Sequence, residues 1–377
     1  MRRFAALDGL RALSVIAVVW HHTSGTPGPA IVDKGGYLGV DFFFAISGFL
    51  ITTLLVREQN ATKMISLRKF YARRALRIFP LYYAALAVYV VLVTATRRHT
   101  PEGTKFFHQL PAFVTYTSNW FVDAGHDNSV PFYFAWSLAT EEQFYLLWPP
   151  MLVATLSLTR GRRIWPSLAA LAVLVVISQG ISMVADTAVL PWSIPASLAL
   201  PILLGAAAAL IVSRRGGFEL VSPILGRVWS APLTAVVLVL AIVTNAARPI
   251  TGILMVLVVV SVCLVERTPL HPMLQWRPLA FVGVISYGVY LLHMLSANIV
   301  RPVLHEQLGI LVFVATLGTV VVLAYLSFRF FETPLLRLKR RYESSRERAG
   351  DELSRMAASV STLRNRSAKR STANLSA

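Results

Sequence analysis

Long apolar runs separated by short polar segments make up most of this chain. Ten of the runs are long enough to cross a hydrocarbon core about 30 Å thick as helices. These runs are Asp8–Thr23, Gly36–Val56, Phe79–Thr96, Trp136–Leu156, Ile164–Met183, Ile194–Val212, Ser230–Ala246, Ile250–Val265, Phe281–Val300 and Gly309–Phe331. The pattern predicts an all-α polytopic membrane protein with about ten transmembrane helices. The alternative is nine or eleven spans, with a broken or re-entrant element between Phe106 and Phe121.

Basic residues orient these spans, because the cytoplasmic loops of membrane proteins carry an excess of Lys and Arg. If the N-terminus is cytoplasmic, most of the 36 Lys and Arg residues fall in segments on the cytoplasmic side. We therefore expect both termini to be cytoplasmic. Residues 1–336 are expected to form a membrane domain, and residues 337–377 a basic, disordered tail near anionic lipid heads. Apart from its charge, nothing in the tail indicates a nucleic-acid partner.

Composition narrows the class of protein further. The 377 residues carry a formal net charge of +18, yet only 14% of them are charged and 55% are hydrophobic. This composition excludes an ordinary soluble enzyme, a disordered protein and a disulfide-rich scaffold. The only cysteine, Cys263, lies in an apolar run, so neither an internal disulfide nor a thiol-rich metal site is expected. A cleaved signal peptide is not expected, because Asp8 and Arg11 interrupt the first apolar run.

Ionisable side chains inside a membrane are unfavourable and therefore mark candidate functional sites. Arg11 and His22 in the first predicted span are eleven residues apart, which is three helical turns and about 16 Å along one face. Glu141 and Glu142, in the fourth span, are expected at the depth of His22. A carboxylate beside a histidine fixes its tautomer and helps it act as a general base. The alternatives are snorkelling of Arg11, hydration of His22 and a structural ion pair between helices.

Two arginines precede the third span on the cytoplasmic side. Arg74 and Arg77 are three residues apart and therefore share one helix face. Paired guanidinium groups suit a phosphorylated ligand, because each binds phosphate oxygens in a fork. The alternative is a cationic anchor at the membrane surface, which is the expected role of several neighbouring basic residues.

Polar residues also occur in the ninth and second spans. Ser286 and His293 are seven residues apart, two turns along one face, with Tyr287 next to Ser286. They are candidates for catalysis or for lining a tunnel, and hydrogen-bonded packing between helices is the alternative. Asp41 and Gly48 place a polar and a small residue in the second span, where close helix packing is the simpler explanation.

Several of these segments together resemble the acyltransferase-3 family of integral membrane acyltransferases. The matching segments are Leu7–Ala12 with His22, Gly39–Phe44, Ile46–Phe49, Phe70–Pro80, Trp136–Pro149, Ile285–Gly288 with Tyr290–His293, and Phe331–Pro334. They follow the family's order and cover the chain from about residue 4 to residue 338. Each segment is weak evidence alone, whereas the ordered set is specific.

The resemblance implies transfer of an acyl group, often acetyl, from cytoplasmic acyl-CoA to a hydroxyl of a carbohydrate or glycosylated acceptor. Envelope polysaccharide, a glycolipid and a glycosylated small molecule are all compatible acceptors. Acyl-CoA is expected as a co-substrate, with no permanently bound cofactor, and membrane lipids surround the protein. The location implied is a bacterial-type inner or plasma membrane. In this family the spacing of Arg11 to His22 and the Arg74–Arg77 pair are associated with activity.

A mechanism follows as a hypothesis. Arg74 and Arg77, together with Arg11, bind the phosphates of the donor. His22, oriented by Glu141 or Glu142, removes the proton from the acceptor hydroxyl as that hydroxyl attacks the thioester. A transient acyl-histidine is the competing chemistry.

The remaining candidates are assigned to the substrate path or tunnel lining: Asp8, Asp41, Ser286, Tyr287 and His293. No metal site is expected, because the candidate ligands lie on different spans without a ligand-spacing motif. The main alternative function is a transporter or flippase for a glycolipid or acylated compound, and a third is a structural membrane subunit.

Overall fold

The structure, a computed structural model, describes residues 5–23, 38–122, 129–161, 163–184, 190–265, 267–304 and 309–339. The described residues form helices joined by short turns, and none of them lies in a β-strand. The all-α prediction is therefore confirmed for these ranges. The predicted C-terminal tail lies outside the described residues from residue 340 onwards.

The helices of the described residues are numbered in chain order. They are α1 (Ala5–Thr23), α2 (Leu38–Thr62), α3 (Leu67–Thr96), α4 (Pro101–Val114), α5 (Trp136–Leu158), α6 (Trp165–Val184), α7 (Leu190–Ala196), α8 (Leu200–Val212), α9 (Arg215–Leu225), α10 (Ser230–Val243), α11 (Arg248–Leu264), α12 (His271–Leu274), α13 (Arg277–Val284), α14 (Ser286–Leu304), α15 (Gly309–Leu326) and α16 (Thr333–Lys339). Short 3-10 turns occupy Ser118–Trp120 and Tyr133–Ala135, and a π-helical turn, Ser327–Glu332, joins α15 to α16. Each predicted span overlaps one helix or two consecutive helices.

Among the described residues, fewer than ten helices combine the length and the hydropathy typical of a membrane span. Within the described ranges four segments are long and apolar enough to cross a membrane: α2, α3, α6 and the stretch Gly309–Arg337, which contains α15. The count rises to six if α8 with α9, bent by 108°, and α13 with α14, bent by 80°, are each one span. α10 and α11 are apolar but shorter. Several spanning helices are thus confirmed, whereas the count of ten is not, and the side of each terminus stays a prediction.

The difference in span count has a physical reason. α1 has 19 residues and α5 has 23, so both are long enough to span a membrane. Their ionisable residues, among them Arg11 in α1 and Glu141 in α5, lower the hydropathy of each helix. The two helices that carry most of the candidate chemistry are therefore the two that composition alone does not identify as spans. The segment between Phe106 and Phe121, where the alternative topology placed a broken or re-entrant element, forms the end of α4 and a 3-10 turn.

α2 and α8 pack against each other more extensively than any other pair of described helices. A Cβ atom on Gly48 would overlap the backbone carbonyl of Ile202, and one on Gly205 would overlap the carbonyl of Ala45. The two glycines let the two backbones touch, as small residues do between membrane helices. The packing explanation for Gly48 is therefore confirmed.

α1 is fixed at both ends to the bent pair formed by α13 and α14. Near its start, the backbone carbonyl of Asp8 lies against Gly283 of α13, with no space for a Cβ. Near its end, the guanidinium group of Arg301 in α14 donates to the backbone carbonyl of His22. This bond satisfies one of the carbonyls that a helix C-terminus leaves free. The position of α1 along α14 is thus set by specific contacts.

Tyrosine hydroxyls of α3 satisfy backbone carbonyls that helical hydrogen bonding leaves free. The hydroxyl of Tyr82 donates to the carbonyl of Phe113, at the C-terminus of α4, at 2.8 Å. The hydroxyl of Tyr71 donates to the carbonyl of Leu146 in α5, also at 2.8 Å. Four residues after Leu146 stands Pro150, which has no N–H to bond that carbonyl. These bonds hold α3, which carries the paired arginines, beside α4 and α5.

Candidate active site

A cavity opens between α1, α2, α3, α5 and α14, with about 720 Å³ of space including its mouth. We call it the arginine cavity, because Arg11, Arg74 and Arg77 all line it. Glu141, Glu142, Ser286 and Tyr287 line it too, and its apolar wall includes Phe43, Phe44 and Leu138. The cavity thus combines three cations and two carboxylates with an aromatic and aliphatic wall.

Arg74 and Arg77 bring positive charge to the cavity without a close protein counter-ion. Within the described residues, no carboxylate lies within 4.0 Å of either guanidinium group. Arg11 and Arg74 also act on Arg77 as like charges. Like charges held together away from bulk water are unfavourable unless a counter-ion joins them. The cluster therefore favours binding of an anion.

Two neighbouring arginines do have carboxylate partners. Arg73 forms a 3.5 Å ion pair with Glu58 of α2. Arg11 forms a 3.5 Å ion pair with Asp8, one turn earlier in α1. Arg73 does not line the cavity, so its ion pair fits the structural role that the sequence allowed for basic residues in this segment.

Hydroxyl groups bind Glu141 inside the cavity. Ser47 Oγ and the hydroxyl of Tyr145 both donate to Glu141 Oε1. The guanidinium carbon of Arg74 lies 4.5 Å from the centroid of the Tyr145 ring. A guanidinium group over an aromatic face is attracted by the ring quadrupole. Glu141 thus fixes Tyr145, and Tyr145 supports Arg74.

His22 and His293 face each other where the end of α1 meets the middle of α14, and we call them the histidine pair. His22 Nδ1 lies 3.2 Å from His293 Nε2 and 2.9 Å from the backbone carbonyl of Val18. His293 is fully buried, and its Nδ1 lies against the backbone carbonyl of Tyr290. Among the described residues, no hydrogen bond reaches His22 Nε2.

Tyr290 separates the histidine pair from the arginine cavity. Its side chain lines the cavity, and its ring centroid lies 5.6 Å from that of His293. Its hydroxyl bonds to Ser137 Oγ and donates to the backbone carbonyl of Phe134 at 3.1 Å. The pair therefore lies directly behind one wall of the cavity.

The described structure does not bring His22 into contact with Glu141 or Glu142, the carboxylates predicted to orient it. No hydrogen bond or ion pair joins His22 to either carboxylate among the described residues. The reason is helix orientation: α5 turns Glu141 towards Ser47, whereas the ring of His22 faces α14. The sequence predicted the same membrane depth for these side chains. An expected depth does not determine which side chains touch.

The other predicted site residues divide into two groups. Arg11, Arg74, Arg77, Glu141, Glu142, Ser286 and Tyr287 line the arginine cavity. His22, His293, Asp8 and Asp41 are not among the described residues that line it. Asp8 is engaged by Arg11, and Asp41 is half-buried on α2 within electrostatic range of Arg248. Ser286 and Tyr287 thus lie at the cavity and the two aspartates and His293 away from it, and the substrate-path role of all five stays a prediction.

Comparison with known proteins assigns the chain to a family. The family model described as an acyltransferase domain matches residues 4–329, most of the chain. The chain belongs to the acyltransferase-3 family. Membership confirms the predicted family and an integral membrane location.

Curated relatives from this family cover the chain almost completely. The peptidoglycan O-acetyltransferase of Listeria monocytogenes is 31% identical over 363 residues, which are 88% of this chain and 55% of the relative. A putative peptidoglycan O-acetyltransferase of Bacillus subtilis is 30% identical over 364 residues, or 89% of this chain and 55% of the relative. A putative O-acetyltransferase of Staphylococcus aureus is 29% identical over 360 residues, or 89% and 57%. The chain therefore spans about half the length of these relatives, and no solved structure matches it significantly.

Sequence reasoning missed several contacts around the arginine cavity and the histidine pair. The hydrogen bond from Tyr145 to Glu141 joins residues four apart on one helix face, a spacing that could have been found. The contact of Ser137 with Tyr290 joins α5 to α14, and no local signal predicts it. Glu332 was also missed: it is buried in the π-helical turn and lies within electrostatic range of Arg77. Turns of this kind occur often at functional sites.

No group of three or more His, Cys, Asp or Glu side chains that could hold a metal ion occurs among the described residues. The residues that the structure does place together are suited to two tasks. The arginine cavity is suited to binding an anionic ligand, and the histidine pair presents a nitrogen lone pair for proton transfer.

Proposed function

We propose that the chain transfers an acetyl group from cytoplasmic acetyl-CoA to a hydroxyl group of a cell-envelope carbohydrate. Arg11, Arg74 and Arg77 bind the phosphates of the donor, and His22 is the general base. The observation that carries the proposal is the pair of cavity arginines without a carboxylate within 4.0 Å among the described residues. A phosphorylated acyl donor supplies oxygens that can accept hydrogen bonds from both guanidinium groups directly.

The donor's two ends are expected to occupy different places. Phosphate groups bind at Arg74 and Arg77, which α3 presents on one face. The thioester end runs along the apolar wall towards Tyr290, behind which the histidine pair lies. Binding the phosphates and the thioester in different places suits acyl transfer. An aromatic wall that excludes water favours attack by an alcohol over hydrolysis of the thioester.

His22 has one ring nitrogen suited to act as a base. Its Nδ1 lies 2.9 Å from the carbonyl of Val18, and a carbonyl only accepts hydrogen bonds, so Nδ1 carries the proton. In the neutral ring Nε2 therefore holds the lone pair. As the acceptor oxygen attacks the thioester carbonyl, its proton moves to His22 Nε2 and the new C–O bond forms. When the C–S bond breaks, that proton passes to the sulfur, giving the acetyl ester and free CoA thiol.

The two carboxylates have revised roles in this proposal. Glu141 is a positioning residue, because it accepts from Tyr145, whose ring lies against Arg74. Glu142 lines the cavity within electrostatic range of Arg74 and Glu141. Neither contacts the reacting proton.

The acceptor class rests on the relatives. Two of them are named as peptidoglycan O-acetyltransferases, one of these putatively, and a third as a putative O-acetyltransferase. The chain spans about half of their length. A carbohydrate acceptor is therefore proposed only for the reaction of the part of these relatives that the chain matches. Peptidoglycan fragments are the first acceptor to test.

The test uses the full chain, purified and reconstituted in lipid nanodiscs, with acetyl-CoA labelled in the acetyl group. We expect label to enter peptidoglycan fragments as an ester that mild alkali releases, and His22→Gln protein to incorporate it at least about 100-fold more slowly. Label that stays on the protein and is released by acceptor would indicate the acyl-histidine alternative instead. If acetyl-CoA neither binds the protein nor loses its acetyl group with any saccharide offered, the proposed function is wrong.

A further inference from the structure

Each ring nitrogen of the histidine pair faces a defined partner. His293 Nδ1 lies against the backbone carbonyl of Tyr290. Since a carbonyl oxygen only accepts, His293 Nδ1 must carry a proton. The neutral His293 ring then has its lone pair on Nε2, which lies 3.2 Å from His22 Nδ1.

The same reasoning applies to His22 and gives a consistent chain of donors and acceptors. His22 Nδ1 carries a proton because the carbonyl of Val18 accepts from it at 2.9 Å. That N–H is shared with the lone pair of His293 Nε2 at 3.2 Å. The direction runs from His22 to His293 to the carbonyl of Tyr290, and reversing any ring would leave a carbonyl facing a lone pair.

We propose that His293 is a positioning residue for acyl transfer: its Nε2 accepts from His22 Nδ1–H and stabilises the positive charge that His22 acquires when its Nε2 takes the acceptor's proton. The inference rests on the proposed function, in which His22 is the base. A neutral histidine here replaces the carboxylate that sequence reasoning expected as the partner of His22.

Burial and packing make His293 suited to this role. The side chain is fully buried, and the ring of Phe134 packs on it with centroids 5.1 Å apart. The ring is therefore held by a backbone carbonyl on one side and an aromatic edge on another. A second acceptor for the His22 N–H matters most once His22 is charged, because hydrogen bonds to ionic groups are about twice as strong as those between neutral groups.

The decisive experiment compares two substitutions of His293, each of which keeps one feature of the histidine and removes the other. His293→Gln keeps an acceptor oxygen near the position of Nε2 but loses the ring, whereas His293→Phe keeps an aromatic ring but has no acceptor. In the full chain in nanodiscs, with acetyl-CoA and peptidoglycan fragments, we expect kcat of His293→Phe to fall about 10- to 100-fold, the range for a hydrogen bond to a charged group. The KM for acetyl-CoA should be unchanged, and His293→Gln should recover most of kcat.

A packing role would give the reverse order, with His293→Phe more active than His293→Gln, and would overturn the proposal. Equal loss in both variants while acetyl-CoA binding persists would also overturn it. If His293→Phe is as active as wild type while His22→Gln is inactive, this inference fails and the proposed function stands. If His22→Gln keeps the wild-type kcat, the base assignment in the proposed function fails.

A measurement on the unaltered protein keeps the proposal testable even if a variant does not fold. Nitrogen NMR of the chain labelled with ¹⁵N-histidine should show His293 protonated at Nδ1 and unprotonated at Nε2, with Nε2 correlated to His22 Nδ1. A His293 ring protonated at Nε2 would overturn the proposal.

Discussion

The arginine cavity and the histidine pair lie on opposite sides of Tyr290 and use charge in opposite ways. The cavity gathers three guanidinium groups and two carboxylates around open space. The pair holds two imidazole rings whose proton positions are set by neutral backbone carbonyls. In the cavity, charge is present before a ligand binds. In the pair, charge would arise only during proton transfer.

This difference separates binding from chemistry. A cluster of like charges is stabilised by an anionic ligand, so changes there should act on the affinity for the donor. A neutral base with a fixed lone pair contributes when it accepts a proton, so changes there should act on turnover. KM and kcat are therefore expected to respond to different parts of the molecule.

The largest expected effect is on turnover at the histidine pair. His22→Gln should lower kcat about 10²- to 10⁴-fold, the usual contribution of a positioned general base. The KM for acetyl-CoA should stay within about twofold, because the arginines are untouched. His21→Gln is the matched control, since His21 is the exposed neighbour on the same helix and should keep wild-type turnover. If His22→Gln also raised the KM for acetyl-CoA, the assignment of binding to the cavity and of turnover to the histidine pair would be wrong.

The next largest effect is expected on donor affinity at the cavity. Arg74→Ala and Arg77→Ala should each raise the KM for acetyl-CoA about 10- to 100-fold, because a hydrogen bond to a charged group contributes about 1.5–3 kcal/mol. Arg68→Ala, which removes an exposed arginine of the same helix, serves as the control. Isothermal titration with acetyl-CoA measures the affinity directly. Unchanged affinity in both cavity variants would show that the phosphates bind elsewhere.

A smaller effect, on stability, should follow from closing the gap between α2 and α8. Gly48→Ala places a methyl group on the carbonyl of Ile202 and should destabilise the fold by about 1–3 kcal/mol, as overpacking does. The measurement is the melting temperature of each variant in detergent. Gly180→Ala is the control, because nothing lies within 4 Å of a Cβ at that helical position. Equal melting temperatures for the two variants would contradict the close contact.

The smallest effect is expected at the support of Arg74. Tyr145→Phe keeps the ring under the guanidinium group but loses the hydroxyl that donates to Glu141. We expect the KM for acetyl-CoA to rise only a few-fold, because the lost hydrogen bond acts on Arg74 only through the position of the Tyr145 ring. Tyr145→Leu removes the aromatic face as well and should weaken affinity further. A Phe variant as weak as the Leu variant would assign the support to the hydroxyl rather than to the ring.

Local periodicity accounts for what the sequence predicted well. The positions of the helices follow from apolar runs, and the shared face of Arg74 and Arg77 follows from a three-residue spacing. Both arginines line the cavity, as that spacing requires. The count of ten spans stays a prediction, because the apolar runs of α10 and α11 form helices shorter than the roughly 20 residues that usually cross a membrane.

Local periodicity does not predict contacts between helices that are distant in sequence. His22 and His293 are 271 residues apart, and their contact depends on how α1 and α14 are rotated about their axes. One residue of helical phase corresponds to about 100° about the axis, so a small difference in rotation changes which neighbour the His22 ring faces. A single sequence gives each helix's face but not the neighbour that the face meets.

The number of residues in α1 between Arg11 and His22 limits which insertions and deletions the chain can tolerate. One residue inserted between them would rotate the His22 ring about 100° and shift it about 1.5 Å along the axis. Arg11 would stay in the cavity while His22 turned away from α14, so the donor site and the base would lose their common alignment. Insertions should therefore be tolerated in the turns between helices but not within this stretch, where only whole numbers of turns restore the phase.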